Sequence, residues 1–228
     1  MSARIPAQPN QSIIAGITLL QEVVGTNRPV GSRELSRRLA MEHSRTNRIL
    51  GTLVHMGLLR RDERRKYRAG PGIHVLSAQS LRASGLVPAS IGALTRLQRL
   101  GATVALGTVW RDVVCYLIHA RPGIDPASTV GAHETFPVDD SVIGALMAGG
   151  RRVIRWDRAD RDEVSWASAV GEPAIAAIAA VFPASDARGR SEAMRDEMLS
   201  AAAEVEATMR RLDGSSESKE GRDGYEPA

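Results

Sequence analysis

Cysteine occurs once in the 228 residues, at Cys115, so no disulfide can close within the chain. Lysine is almost missing: Lys66 and Lys219 are the only two, and arginine supplies the rest of the 30 basic residues. The longest apolar run, around positions 174–184, is too short to span a bilayer, and the N-terminus has no signal-like stretch. A cytoplasmic protein with no membrane contact is expected. None of the five histidines has metal-ligand spacing to a second cysteine or a carboxylate cluster, and no glycine loop suits a phosphate. Neither a metal nor a cofactor is therefore expected. The balance of 43% hydrophobic and 25% charged residues is ordinary for a globular protein of one or two domains.

What is present is unevenly distributed. Residues 1–72 hold 13 Lys+Arg against 5 Asp+Glu, a net of +8, whereas residues 73–228 carry a net of −4. A genome that favours arginine would not segregate charge by domain, so the basic third points to an anionic partner.

Within it, Ser32 to Gly70 reads as helix, tight break, second helix and charged hairpin: a winged helix-turn-helix that binds duplex DNA. Ser32 is placed as the cap of a helix ending near Met41, and Ser44 as the cap of the next. Helical spacing puts Thr46, Ile49, Leu50, Leu53 and Gly57 on one face, to pack on Leu35 and Leu39. Ser44, Asn47, Arg48, Gly51, Thr52 and His55 fall opposite, with Arg45 on the flank aimed at phosphate. Arginine bonds guanine bidentately and asparagine bonds adenine, so this is a face a major groove can use. The hairpin that follows crowds Arg64, Arg65 and Lys66 at its tip around one apolar residue, Tyr67, and suits phosphates or a minor groove better than a core. Asp62 and Glu63 weaken its field.

A first helix is expected over about Ser12 to Val24, with Ile13, Ile17, Leu20 and Val24 on one face. A linker helix over 73–87 follows the break at Gly70-Pro71-Gly72. Helix, hairpin-linked strands (103–109, 113–120, 163–170, 174–182), a short helix at 141–147 and a long helix at 191–212 then predict an antiparallel sheet covered on one face. The fold class is α+β, its C-terminal part a GAF-like sheet with helices over 88–213. Residues 214–228 read as a disordered tail.

Residues from about Ile13 to about Met147 resemble the IclR family of bacterial transcription regulators. The resemblance is carried by RPVGSRELSRRLAMEHSRTNRILGTLVHMGLLRRDERRKYRAGPG, then by GATVALGTVWRDVVCYLIHARPG and VGAHETFPVDDSVIGALMAGG, with PAIAAIAAVFPASD like the family's final strand. It implies a homodimer or dimer of dimers that binds an operator in double-stranded DNA, with the linker helix pairing subunits and the C-terminal domain sensing a small metabolite, often a carboxylic acid.

The chain departs from that pattern where an effector would bind. The segment between Met147 and Glu163 is several tens of residues shorter than the family's. Pro137, Ser141 and Gly144 match a helix-start motif whose lysine is Ala145 here, and Val181 stands at a position often polar. The helix N-terminus at Ser141 would invite a carboxylate, but Asp139 and Asp140 precede it and are expected to cap its donors and repel an anion. Ser141, Asp140 and Val181 are thus the candidate effector residues of a reduced pocket.

Two other classes compete. An enzyme would draw on Cys115, His119 and the pair His133-Glu134, but four residues along a strand separate Cys115 from His119 by roughly 13 Å. A protein-interaction module would keep the winged helix without an operator, and salt would barely affect any DNA association.

Overall fold

The structure, a computed structural model, describes residues 8–26, 28–131, 134–186 and 191–220, excluding the side chains of 191 and 213–220. The described residues divide into two compact units, with the boundary between Ser80 and Leu81.

The first unit opens with α1 (Gln11–Val24), whose cap Asn10 accepts from the backbone N–H groups of Ser12 and Ile13 at 3.0 and 3.2 Å. Its buried residues are Ala15, Leu19 and Val23, not the predicted face; Ile13, Ile17 and Val24 stay exposed. Both sets recur at helical spacing, so periodicity alone offered two faces, and packing in the folded unit selected one. Two more helices follow. These are α2 (Ser32–Arg38) and α3 (His43–His55). Leu19, Val23, Val30, Leu35, Leu50, Leu53, Leu59 and Tyr67 form their shared core.

Helix α2 stops at Arg38, three residues before the predicted end, because Ala40 turns left-handed (φ 48°) and the Met41 N–H reaches back to Ser36 O at 2.9 Å. Its cap is Gly31 rather than Ser32, whose hydroxyl meets His43 instead. The wing is β1 (Leu59–Arg61) paired antiparallel with β2 (Tyr67–Ala69). Tyr67 is 4% exposed, which corrects the expectation of a hairpin without a core role. Its backbone exchanges hydrogen bonds with Val30 at 2.8 and 3.0 Å, so the wing is stitched to the segment before α2. Helix α4 (Pro71–Ser84) begins in this unit and has no buried residue.

The second unit is an antiparallel sheet with helices. Helix α5 (Leu86–Gln98) precedes β3 (Thr103–Trp110), β4 (Val113–Ala120) and β5 (Thr135–Pro137). Helix α6 (Val142–Gly149), β6 (Val153–Arg158), β7 (Glu163–Val170), β8 (Ala176–Pro183) and α7 (Ser191–Glu220) complete it. The strand order is β5-β4-β3-β8-β7-β6.

One face packs Leu94 and Leu97 of α5 and Met198 and Val205 of α7 on Leu106, Ile118, Trp166 and Ile178. The other is covered too, against expectation: Ile143 and Leu146 of α6 share a core with Ala105, Ala167, Ala177 and Ala179. Small alanines on β7 and β8 leave room for α6 on that face, so both strands are buried on both sides. Gly144 sets the fit, since a Cβ there would stand 2.1 Å from the Val138 carbonyl oxygen.

Two further expectations are corrected. The short segment between Met147 and Glu163, where no strand was expected, contains β6, paired with β7 from Val153↔Ser168 to Arg158↔Glu163. The predicted tail begins inside α7, which runs to Glu220 because extending a formed helix fixes one residue per added hydrogen bond. Positions 221–228 lie outside the described residues, as does His133. No helix among the described residues is long and apolar enough to cross a membrane.

Candidate nucleic-acid interface and a cavity in the second unit

The start of α3 is built by Glu42, not Ser44. Its carboxylate accepts from the N–H groups of Ser44 and Arg45, both at 2.7 Å, and from the Ser44 hydroxyl at 2.6 Å. Shorter side chains are the usual caps, and here the glutamate folds back to do the same. These bonds, the Ser44 hydroxyl foremost, lower the Glu42 pKa to about 2. A depressed carboxylate stabilises the fold above its ordinary pKa near 4.5 and loses that contribution as pH falls towards 2. Glu42→Ala should therefore lower the melting temperature of the first unit at neutral pH, and the gap to the unmodified protein should close below pH 4.5. A gap that stays constant in melts across that range would contradict this role.

Between the start of α2, α3 and the wing lies a groove of about 750 Å³. Asn47, Gly51, Arg64 and Arg65 line it, together with Arg33, His43 and Arg61, which sequence reasoning did not single out. His43 Nε2 lies 3.2 Å from the Ser32 hydroxyl and 3.3 Å from the Asn47 amide nitrogen, tying the two helix starts together. The spacing His43 to Asn47, one helical turn, was the available signal. Arg48, Thr52 and Lys66 are exposed without lining the groove, and the Thr52 hydroxyl donates to Arg48 O at 3.1 Å. Ser44 is occupied by the cap, and Arg45 donates to Gln11 O at 3.0 Å, so neither is free in this geometry.

Most acids of the unit are turned to other tasks. Glu34 pairs with Arg28 and Arg38, and Glu22 with Arg38. Asp62 closes the wing turn by accepting from the Lys66 N–H at 2.8 Å, where Arg65 adopts φ 58°. Among the described residues, Arg33, Arg48, Arg64, Arg65 and Lys66 have no carboxylate partner. The groove is left with uncompensated positive charge.

In the second unit, Ser141, Asp140 and Val181 come together on one cavity of about 240 Å³. Tyr116, Phe136 and Trp156 give it aromatic walls, with Tyr116 and Phe136 ring centroids 5.0 Å apart. The Tyr116 hydroxyl shares a 3.0 Å hydrogen bond with Ser141, and burial holds its pKa up, so it stays a neutral phenol. Ser141 caps α6, accepting from Gly144 N–H at 3.5 Å. The expected capping by aspartate is thereby corrected: Asp140 turns away to Arg158 and Arg161. A serine already in extended geometry reaches the donors better than the carboxylate one residue earlier.

Of the residues weighed for catalysis, burial pushes the Cys115 thiol pKa up, away from a reactive thiolate. His119 pairs with Glu134 and meets Tyr116 edge-on at 5.2 Å.

Residues 16–63 match the IclR helix-turn-helix domain, covering α1 from Gly16 onward, α2, α3 and the first strand of the wing. About nine-tenths of the chain shares the fold of IclR regulators of known structure. A Silicibacter sp. TM1040 protein described as an IclR transcriptional regulator superposes with a TM-score of 0.68 at 16% identity, over 89% of this chain and 96% of that one. An IclR family transcriptional regulator from Brucella abortus gives 0.67 at 15% identity, over 91% and 95%. An IclR homologue from Microbacterium hydrocarbonoxydans, complexed with 4-hydroxybenzoate, gives 0.60 at 17% identity, over 87% and 99%. No curated protein matches the sequence. The matched domain and the fold define the class: this is a DNA-binding transcription regulator carrying an IclR helix-turn-helix domain.

Proposed function

We propose that the protein is a sequence-specific operator-binding regulator of the IclR type, acting as a homodimer or dimer of dimers. Helix α3 enters the major groove, the wing lies on the phosphate backbone, and the C-terminal part over 88–213 pairs subunits and senses a small molecule. One observation carries the reading: the groove beside α3 holds Asn47, Gly51 and unpaired arginines, while most of the unit's acids are spent on caps, turns and other ion pairs. Neutralising phosphates releases counterions, so such a surface binds DNA in proportion to its free cations. Exposed apolar side chains on α1 (Ile13, Ile14) and α4 (Val75, Leu76) support pairing through the N-terminal part. The cavity of the second unit is of a size for a compact aromatic, and the Microbacterium homologue with 4-hydroxybenzoate supports a small-molecule site.

The wing supplies the test. Replacing Arg64 and Arg65 by alanine together should weaken operator and random duplex alike. The slope of log affinity against log salt should fall by up to about two phosphate equivalents. An unchanged slope would remove the wing from the interface, and salt-independent association of the unmodified protein would favour a protein-interaction module instead.

A further inference from the structure

A carboxylate already occupies the most cationic part of the cavity. Asp140 Oδ1 lies 3.0 Å from Arg158 Nη2 and 3.1 Å from Arg161 Nη2, and its Oδ2 is also 3.1 Å from Arg161 Nη2. Arg158, whose side chain is only 13% exposed, is held besides by Asp160 at 3.2 Å and lies over the Trp156 ring at 4.8 Å. The two guanidinium groups depress the Asp140 pKa, Arg158 foremost, so the charge is permanent at neutral pH. Elsewhere on the lining, Arg121 and Glu163 carry opposite charges and His119 is paired with Glu134.

We infer that Asp140 determines the specificity of this cavity: its carboxylate fills the two-arginine seat that a ligand carboxylate would need, so uncharged ligands are preferred over anions of the same shape. The inference rests on reading the cavity as a small-molecule site. The physical reason is competition. A free anion must displace a carboxylate tethered next to the seat, and even a flexibly linked group acts at an effective concentration of about millimolar or more. The displaced Asp140 would also be left facing the newcomer as a like charge. In contrast, an uncharged aromatic can use the Tyr116, Phe136 and Trp156 walls and leave the ion pairs intact.

Removing the aspartate should open the seat without collapsing it, because Arg158 keeps Asp160 as a partner and Arg161 retains a 3.8 Å contact to the same residue. The test titrates acetate, benzoate and benzamide into the full chain, unmodified and as Asp140→Ala and Asp140→Asn, by calorimetry with thermal melts as a check of folding. Benzoate should bind both variants about tenfold or more tighter than the unmodified protein. Benzamide should bind all three alike, and adding Arg161→Gln should abolish the gain for benzoate.

Benzoate binding the unmodified protein as tightly as the variants would overturn the inference while leaving the cavity a ligand site. Acetate gaining on the variants while neither aromatic probe improves on it would sustain the seat and remove the small-molecule reading. No gain for either acid would overturn the assignment of Asp140.

Discussion

Asn47→Ala should weaken binding to the cognate operator by about 1–3 kcal/mol and relax base preference at one position, with little change on random duplex. Asn47 is exposed, lines the groove and is steadied by His43 one turn earlier. An amide carries both a donor and an acceptor and can pair with adenine in the major groove, so its loss is a loss of discrimination rather than of charge. Arg48→Ala, on the same exposed face, is expected to behave likewise if it reads a base and to lower both affinities if it holds phosphate. The operator can be taken from a genome-wide map of fragments bound in cells, and competition binding at fixed salt reads the ratio. Equal losses on operator and random DNA for Asn47→Ala would show that the residue only positions the backbone.

A larger loss, this time of stability, is expected from Leu50→Ala. Leu50 is fully buried on the inner face of α3, in one cluster with Leu19, Leu35 and Leu59. Truncating a leucine there removes its transfer energy and leaves a cavity, together about 2–5 kcal/mol. In a unit of this size about 1 kcal/mol corresponds to roughly 4–8 °C, so the melting transition of the first unit should fall well below that of the unmodified protein. Operator and random-duplex affinity should drop together, since α3 loses its support before it loses any contact with DNA. Ile49→Ala, only partly buried on the same helix, serves as the comparison and should cost less. A Leu50→Ala protein that melts like the unmodified one would mean that α3 is anchored by something other than this core.

These two residues also show where the sequence was sufficient. Thr46, Leu50 and Leu53 inside, with Asn47, Arg48 and Gly51 outside, follow from a helical period that leaves only one apolar stripe on α3. Strands β3, β4 and β7 were legible in the same way, because turn residues bound each apolar run. Helix α1 was not: its apolar residues fall on two faces, and only docking against α3 and the wing strand β2 chose Leu19 and Val23 over Ile13 and Ile17. The cap of α3 escaped as well, since a glutamate is a rare cap whose fitness depends on how its longer side chain folds back.

By itself the sequence determined the segregation of positive charge into the first third, the polar face of α3, the cationic wing tip and the helices and strands other than β5 and β6. All of these are local properties, set by neighbours within a few residues along the chain. The tertiary structure alone decided that α6 covers the second face of the sheet, that RRVIRWDRADRD contributes β6, and that Arg158 and Arg161 meet Asp140 some twenty positions away. Charge on a chain says whether a group is an anion; only the fold says which cations it faces. The same aspartate that reads as a repellent beside a helix N-terminus becomes, once β6 is paired and the turn before β7 is formed, one partner of a paired carboxylate and guanidinium cluster on the cavity wall.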